Sequence, residues 1–555
     1  MAKPMPIGVD DFAEARKKYY FVDKTKFISE LWRQHGAATL ITRPRRFGKT
    51  MTLSMLKYFF SEENAAENRK LFDGLEVSKD EAVMAEQGKR PVLFLTLKEW
   101  KFVDWETMQG GVAVFWQDYY NRYAYLLESD QISAAEKEVF REILMGKAGI
   151  PRLMNALTFL MDLLARYAGK PVVLLLDEYD APIQSAWERG YYAQAIDFMR
   201  VMLTGALKTN LSLDFAVLTG VLRVAKESIF SDLNNLQVAS LLSGLYPTAM
   251  GFTTDEVAKM AKDLGKEEKM DEIRDWYDGY QFCGEEIYNP WSVVNYFGHH
   301  CEVGPYWVNT SGNGILKELM RYASLEQMEN IHRLLQGGTV QAFLREGVIY
   351  SDIGEDEDAL YTMLLTTGYL TSVRAEMQGL EREYTLRVPN KEILSLFSIE
   401  VVKRFQKGLS KSSLVRLMQA FLSGNRERVE MGLSRYLEVL ASTFDTAGKE
   451  AFYHGFVLGM TALLIPAYEV RSNRESGYGR YDIAVFPKEK GKAGLILEFK
   501  TAEKEDDIEK KADEAIGQIE SRDYRAEFRA QGVEPVYAYG IAFCGKQVTV
   551  RLRNL

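Results

Sequence analysis

Gly48-Lys49-Thr50 constrains this chain more than any other three residues. The triplet follows a short apolar run, Ala38–Ile41. It opens a segment, Lys49–Phe60, that places Met55, Leu56, Phe59 and Phe60 on one helical face. Strand, loop and helix in that order form the setting of a phosphate-binding loop, G-x-x-x-x-G-K-[ST]. Arg43 stands where the first glycine belongs. That departure matters less than loss of Gly48 or Lys49 would. The first glycine eases a turn, whereas Gly48 lets the backbone approach a phosphate closely. Backbone N–H groups at the helix start can point at a β-phosphate. Lys49 would add charge across the β- and γ-phosphates, and the Thr50 hydroxyl would ligate Mg2+. Arg45 and Arg46 either lie beside the phosphates or brace acidic neighbours, and the residues leave that open. The expected nucleotide-binding stretch is Arg45, Arg46, Phe47, Gly48, Lys49 and Thr50.

A second motif supports the first. Residues 171–180 read Pro-Val-Val-Leu-Leu-Leu-Asp-Glu-Tyr-Asp, a buried strand ending in two acids. Asp177 is expected to hold Mg2+ through water, and Glu178 to polarise an attacking water. The alternative is an ordinary strand whose acids cap the next turn. Further strand candidates are Arg90–Leu97 and Leu213–Val221, with helical stretches such as Trp105–Leu127 and Ala193–Leu207 between them. Alternating strands and helices imply a parallel sheet covered on both faces. A strand between the loop and the acidic strand, with Glu178 directly after Asp177, resembles the ATPase branch with an added catalytic strand. Thr219 is then placed like a γ-phosphate sensor. Arg223 is either a γ-phosphate contact, in its own or an adjacent subunit, or a surface arginine. The trans role would require a homo-oligomer.

Several segments together resemble a bacterial family of AAA-ATPase-like proteins with a C-terminal PD-(D/E)XK nuclease-like domain. They are Pro6-Ile7-Gly8, Phe21-Val22-Asp23-Lys24-Thr25, Arg43 to Thr50, Leu176 to Asp180 and Thr219-Gly220-Val221. In that family the loop typically begins Arg-Pro-Arg-Arg, so Arg43 is similar to a family feature. The resemblance implies ATP binding. It also makes Phe21–Thr25 either a wall for the nucleotide base or a structural lead-in.

The C-terminal part carries the second chemical constellation. Tyr468–Ser472, Tyr481–Phe486 and Gly494–Lys500 read as strands. Residues two apart in a strand share a face, so Glu498 and Lys500 project together while Phe499 points to the core. Asp482 on the neighbouring strand can meet them. This is the Asp…Glu-x-Lys arrangement of PD-(D/E)XK nucleases. The carboxylates would hold Mg2+, with Mn2+ as a substitute, and Lys500 would position a water. Asp…Glu-x-Lys alone is a weak pattern, but Leu495–Leu497 is too apolar for an exposed edge. A helix follows with Ile508, Ala512, Ala515, Ile516 and Ile519 on one face. It carries Gln518, typical of the RecB-like branch, and leads to Tyr524. Upstream, Glu450 is either a further metal ligand or a helix-start charge.

The expected fold class is therefore α/β. A P-loop NTPase parallel sheet (1–240) with helices on both faces is followed by a mainly helical lid or linker (241–440). A C-terminal α/β restriction-endonuclease-like, PD-(D/E)XK domain (441–555) completes the chain. Aromatic stretches of the middle region, Trp276–Tyr280 and Ile287–Ser292, read as core rather than as base-stacking platforms. Strand-like Tyr384–Pro389 suggests a small winged-helix-like element.

Net charge is −9, so there is no global basic signature, although a local basic groove remains compatible with that average. The three cysteines lack metal-ligand spacing, which favours a reducing, cytoplasmic setting. The uncharged stretch Ala451–Tyr468 reads as a buried helix and its exit, not a membrane span.

The leading expectation is an ATP-binding, ATP-hydrolysing protein that gates a Mg2+-dependent phosphodiesterase. Its partners would be ATP and nucleic acid, DNA in preference to RNA, in defence against foreign DNA. The alternatives are an ATP-switched adaptor for nucleic acid or protein without nuclease activity, and an ATPase motor whose C-terminal domain only guides DNA.

Overall fold

The computed structural model describes residues 3–222, 235–307, 325–345, 347, 356–397, 411–440, 453, 457–458, 460–464, 467–476 and 479–555. Arg223 and Glu450 lie outside the described residues, as does much of 451–468. The chain forms two compact units. One comprises Met1–Asn309, Ala342–Tyr384 and Pro389–Glu392, and the other Thr310–Gln341, Thr385–Val388 and Ile393–Leu555.

The first unit is built on β1 (Ala38–Thr42), β2 (Val92–Thr96), β3 (Val172–Asp177), β4 (Leu213–Gly220) and β5 (Leu236–Ala239). They form one sheet in the order β2–β3–β4–β1–β5, every pairing parallel. Every residue of β1 and β3 is buried, which explains why both read as unbroken apolar runs and not as alternating ones. Helices Lys49–Phe60, Trp105–Asn121, Ala156–Ala168 and Tyr192–Leu207 accompany the strands. Leu53, Leu56, Phe59 and Phe60 of the first of these share a core with Val173, Leu175 and Val217. Strand β4 lies between β1 and β3, so the loop strand and the acidic strand are not direct neighbours.

The middle of the chain is helical, with helices Thr254–Asp263, Met270–Tyr277 and Pro290–Gly298, and it adds two small sheets, of which the sequence pattern announces one strand, the strand-like Tyr384–Pro389 that overlaps the strand Glu381–Arg387. One joins β6 (Phe252–Thr253), β7 (Tyr280–Phe282) and β8 (Glu285–Tyr288). The β7–β8 connection is two residues, Cys283 and Gly284, both at positive φ, the turn geometry that suits strand twist. The other joins β9 (Val340–Phe343), β10 (Thr371–Gln378) and β11 (Glu381–Arg387), in the order β10–β11–β9. Of the two aromatic stretches, Tyr277, Tyr280 and Tyr288 are buried in a core as expected, while Trp276 and Trp291 are half-buried. Asn289 accepts hydrogen bonds from the Trp291 and Ser292 N–H groups and caps the helix that begins at Pro290.

In the second unit, β12 (Tyr468–Ser476), β13 (Gly479–Pro487), β14 (Gly494–Thr501), β15 (Val536–Cys544) and β16 (Gln547–Asn554) form a mixed sheet in sequence order. Only β14 and β15 are parallel. A parallel pair needs a crossover, and helix Ile508–Ser521 supplies it. Its buried residues are Ile508, Ala512, Ala515, Ile516 and Ile519, the expected face. Gly540 of β15 lies beneath that helix: a Cβ there would stand 2.4 Å from the Ile516 nitrogen. Only glycine permits so close an approach. Among the described residues no helix is long and apolar enough to cross a membrane.

Candidate functional site

The first site forms where β1, β3 and β4 end. In the register, Ile41 lies beside Thr219, and Leu176 beside Leu218, so the loop, Asp177 and Thr219 share one edge of the sheet. Asp177 is the meeting point. Its Oδ2 accepts from Thr50 Oγ1 at 2.7 Å and its Oδ1 from Thr219 Oγ1 at 2.6 Å. Burial pushes its carboxyl up, and the two hydroxyls oppose that shift. Lys49 is buried and its Nζ donates to the Arg43 and Pro44 carbonyls at 3.0 and 2.9 Å. Burial lowers the Lys49 amine, and Glu178, Asp180 and Asp177 act against that. Gly48, at φ 89°, starts the helix in a conformation that costs a non-glycine residue about 1 kcal/mol.

Arg43 takes a different direction. Its guanidinium is fully buried and donates to the carbonyls of Thr42 (2.9 Å), Ala239 (2.8 Å) and Tyr246 (2.9 Å), with the Phe282 ring 5.1 Å away. Burial lowers it to about 10, so it stays charged at neutral pH. The arginine binds the end of β5 and the segment after it. The loop's positive φ angles fall at Arg46 (69°) and Gly48 (89°), so no glycine is needed at position 43. Arg43→Met is expected to destabilise the fold by about 3 kcal/mol, because several buried carbonyls lose a charged donor. A denaturant midpoint that does not move would contradict this account.

The other loop residues are anchored individually. Arg45 Nη2 donates to Gln184 Oε1 at 2.8 Å. The Arg46 guanidinium lies 4.1 Å from the centre of the Trp291 ring. The Phe47 ring is buried against Tyr280 and Phe282, which leaves its backbone as the part on the loop. Phe21–Thr25 is committed to the fold: Lys24 pairs with Glu256 at 2.5 Å, and Asp23 accepts from Thr25 and from the Glu76 N–H.

Sequence reading passed over three neighbours of this site. Asp180 is buried and accepts from the Val221 and Leu222 N–H groups at 2.8 and 2.9 Å, tying the acidic strand to the segment after Thr219. Trp307 Nε1 donates to the Arg45 carbonyl at 3.1 Å. The Trp307 N–H and the Ser292 hydroxyl donate to Glu392, at 2.8 and 2.7 Å. For Asp180 the signal was an acid three residues past Asp177. Trp307 lies in Tyr306–Asn313, a stretch that resembles the family without declaring a chemistry, and Glu392 is too distant in sequence to have given a signal.

Burial raises Glu392 to about 7. Below about pH 4.5 the group is protonated in both folded and unfolded chains. Above that the unfolded chain loses the proton first, so stability falls until about pH 7, by on the order of 3 kcal/mol. Relative to wild type, Glu392→Gln should therefore become more stable between about pH 5 and pH 8. Melting temperatures at the two ends check this, and a constant difference would contradict it.

The second site lies in the mixed sheet. Ile483 pairs with Leu497, so Asp482 and Glu498 come one step further along the antiparallel strands. Asp482 Oδ2 accepts from the Phe499 N–H at 2.7 Å, and Lys500 Nζ donates to Glu498 Oε1 at 3.3 Å. Gln518 Nε2 donates to the hydroxyl of Tyr524, at 3.2 Å. Tyr524 is buried and within electrostatic reach of Glu498 and Asp482. Sequence reading followed the helix to Tyr524 but gave it no role. Glu498 is 2 % exposed, and its Oε2 is buried without a hydrogen-bond partner. Burial and the Asp482 charge raise Glu498 to about 8.

Among the described residues no group of three or more histidine, cysteine or acidic side chains has metal-binding spacing. The side chains at the two sites offer carboxylate and hydroxyl oxygens, a donor set for a hard divalent cation. The orphaned Glu498 oxygen and the adjacent Asp482 charge fit such an ion.

Comparison with known proteins agrees with this geometry. Residues 6–230 match the AAA-ATPase-like family, described as a predicted AAA-ATPase. Residues 448–552 match the PD-(D/E)XK nuclease superfamily. A protein of Azotobacter chroococcum mcd 1, described as an uncharacterized protein in the vnfD 5' region, is 29% identical over 98% of this chain and 96% of its own length.

Proposed function

We propose that this chain, with an AAA-ATPase-like N-terminal part and a PD-(D/E)XK superfamily C-terminal part, is an ATP-gated nuclease. The observation that carries the reading is the pairing of two constellations. Lys49, Thr50, Asp177 and Thr219 converge at one sheet edge, and Asp482, Glu498 and Lys500 are assembled in the other sheet.

At the first site, Lys49 and the Gly48–Thr50 backbone would bind the β- and γ-phosphates. Thr50 and Asp177 would hold Mg2+, and Glu178 would accept a proton from the attacking water. Thr219 would orient Asp177. At the second, Asp482 and Glu498 would hold Mg2+ or Mn2+, with Lys500 orienting the water. Bound there, the cation would activate that water and stabilise the leaving oxygen. DNA is the proposed substrate, and defence against foreign DNA, in the cytoplasm, the proposed setting. A role for Arg223 in an adjacent subunit, and hence a homo-oligomer, belongs to the same proposal.

The test uses purified full-length chain: wild type, Lys49→Ala and Asp482→Ala. Cleavage of single- and double-stranded DNA and RNA is measured with Mg2+ or Mn2+, with and without ATP. Metal-dependent cutting that needs ATP, Lys49 and Asp482 supports the reading. Cutting indifferent to ATP and to Lys49→Ala would remove the gating. If no condition gives cleavage that Asp482→Ala abolishes, the adaptor alternative takes its place.

A further inference from the structure

The phosphate-loop residue Arg46 occupies a position that glycine would fill at lower cost. Its φ is 69°, in the left-handed region, and across the site Glu178 also has a positive φ, 50°. For a residue with a Cβ that region costs about 1 kcal/mol or more, and such residues cluster where the side chain is used. Arg46 is also given a seat. Its guanidinium lies 4.1 Å from the Trp291 ring centre, a separation at which a cation is attracted to the ring face. Trp291 is fixed in turn: its N–H donates to the Asn289 cap at 2.9 Å, and its Nε1 donates to the Tyr306 carbonyl at 3.0 Å. Burial and the neighbouring Arg45 lower the Arg46 guanidinium, and the Glu178 carboxylate, within electrostatic reach, acts against that.

A strained arginine on an aromatic seat, beside the acid proposed to face the γ-phosphate, is a poor structural device. It is a good anion reader. A guanidinium offers a planar fork of donors that matches a terminal phosphate, and the aromatic face holds that fork ready.

We propose that Arg46, seated on Trp291, distinguishes a nucleoside triphosphate from a diphosphate at this loop, with Trp291 as its positioning residue. The inference rests on the reading of the loop as an ATP site. With ADP, Arg46 keeps Trp291 and Glu178 as its neighbours. With ATP, the γ-phosphate adds a charge-assisted partner that ADP lacks.

Isothermal titration calorimetry of ATP and ADP, with Mg2+, on the full chain tests this in wild type, Arg46→Gly, Trp291→Phe, Trp291→Leu and the Arg46→Gly/Trp291→Leu double variant. For Arg46→Gly, ATP affinity should fall about tenfold while ADP affinity holds within about twofold. Its melting temperature should hold or rise, since glycine relaxes the backbone. Trp291→Leu should shift the ATP-to-ADP ratio in the same direction, and Trp291→Phe should restore most of it. In the double variant the loss should be no larger than in Arg46→Gly alone. The proposal is overturned if Arg46→Gly weakens both nucleotides equally or lowers the melting temperature. It is also overturned if the Trp291 effect adds in full. A wild type that binds neither nucleotide removes the ATP reading itself, and this inference with it.

Discussion

Asp482→Ala is expected to lower metal-dependent cleavage by at least about a thousandfold, because a carboxylate that holds the cation is lost. Asp482 also accepts the Phe499 N–H, so alanine removes that hydrogen bond near the site. Asp482→Asn separates the two effects. The amide oxygen can still accept that hydrogen bond, but without the negative charge it holds the ion far more weakly. Both variants should therefore lose cleavage, while Asn keeps the wild-type melting temperature within a few degrees. Removing the charge also relieves Glu498, which the Asp482 charge helps to raise to about 8. The fold therefore has no electrostatic reason to fail. Chelation with EDTA should reproduce the loss in wild type, and excess Mg2+ should restore activity. Cleavage that survives Asp482→Asn would take the second site out of the chemistry.

Lys49→Ala should abolish ATP turnover and weaken ATP binding by about a hundredfold, since a buried ammonium is removed from the loop. The variant also leaves the Arg43 and Pro44 carbonyls without their donor, so some loss of stability is expected. Glu178→Gln is the informative partner. Its φ of 50° is unchanged by the substitution, and no charge of the loop itself is altered. It should keep ATP affinity while turnover falls by about a hundredfold or more, as loss of a general base requires. Radiolabelled ATP hydrolysis and calorimetry separate the two outcomes. Turnover equal to wild type in Glu178→Gln would rule out the base assignment.

Much of this was legible in the chain. The helix Lys49–Phe60 and the Glu498/Lys500 alternation follow from local periodicity, and the strand ending at Asp177 from an unbroken apolar run, both of which neighbouring residues display in full. The buried face of the helix Ile508–Ser521 was readable for the same reason. What the pattern did not give was the small sheet of β6, β7 and β8; of the other small sheet it gave one strand, near Tyr384–Pro389, where β11 lies. Strands of two to four residues, such as β6, β7 and β8, are too short to show a period.

Position 43 marks the boundary between the two kinds of information. Sequence alone determined that a loop of phosphate-binding type follows a buried strand, and that an Asp-Glu pair and an Asp…Glu-x-Lys set accompany it. Those are local patterns, and local residues carry them. Only the tertiary structure decided what the loop's own letters do. Arg43 turns away to the carbonyls of Ala239 and Tyr246, Arg45 is held by Gln184 and Trp307, and Arg46 lies on Trp291. Each partner is more than a hundred residues away along the chain. A hydrogen bond or a ring contact depends on distance in space, and that distance is set only once the sheet, its covering helices and the middle region have packed.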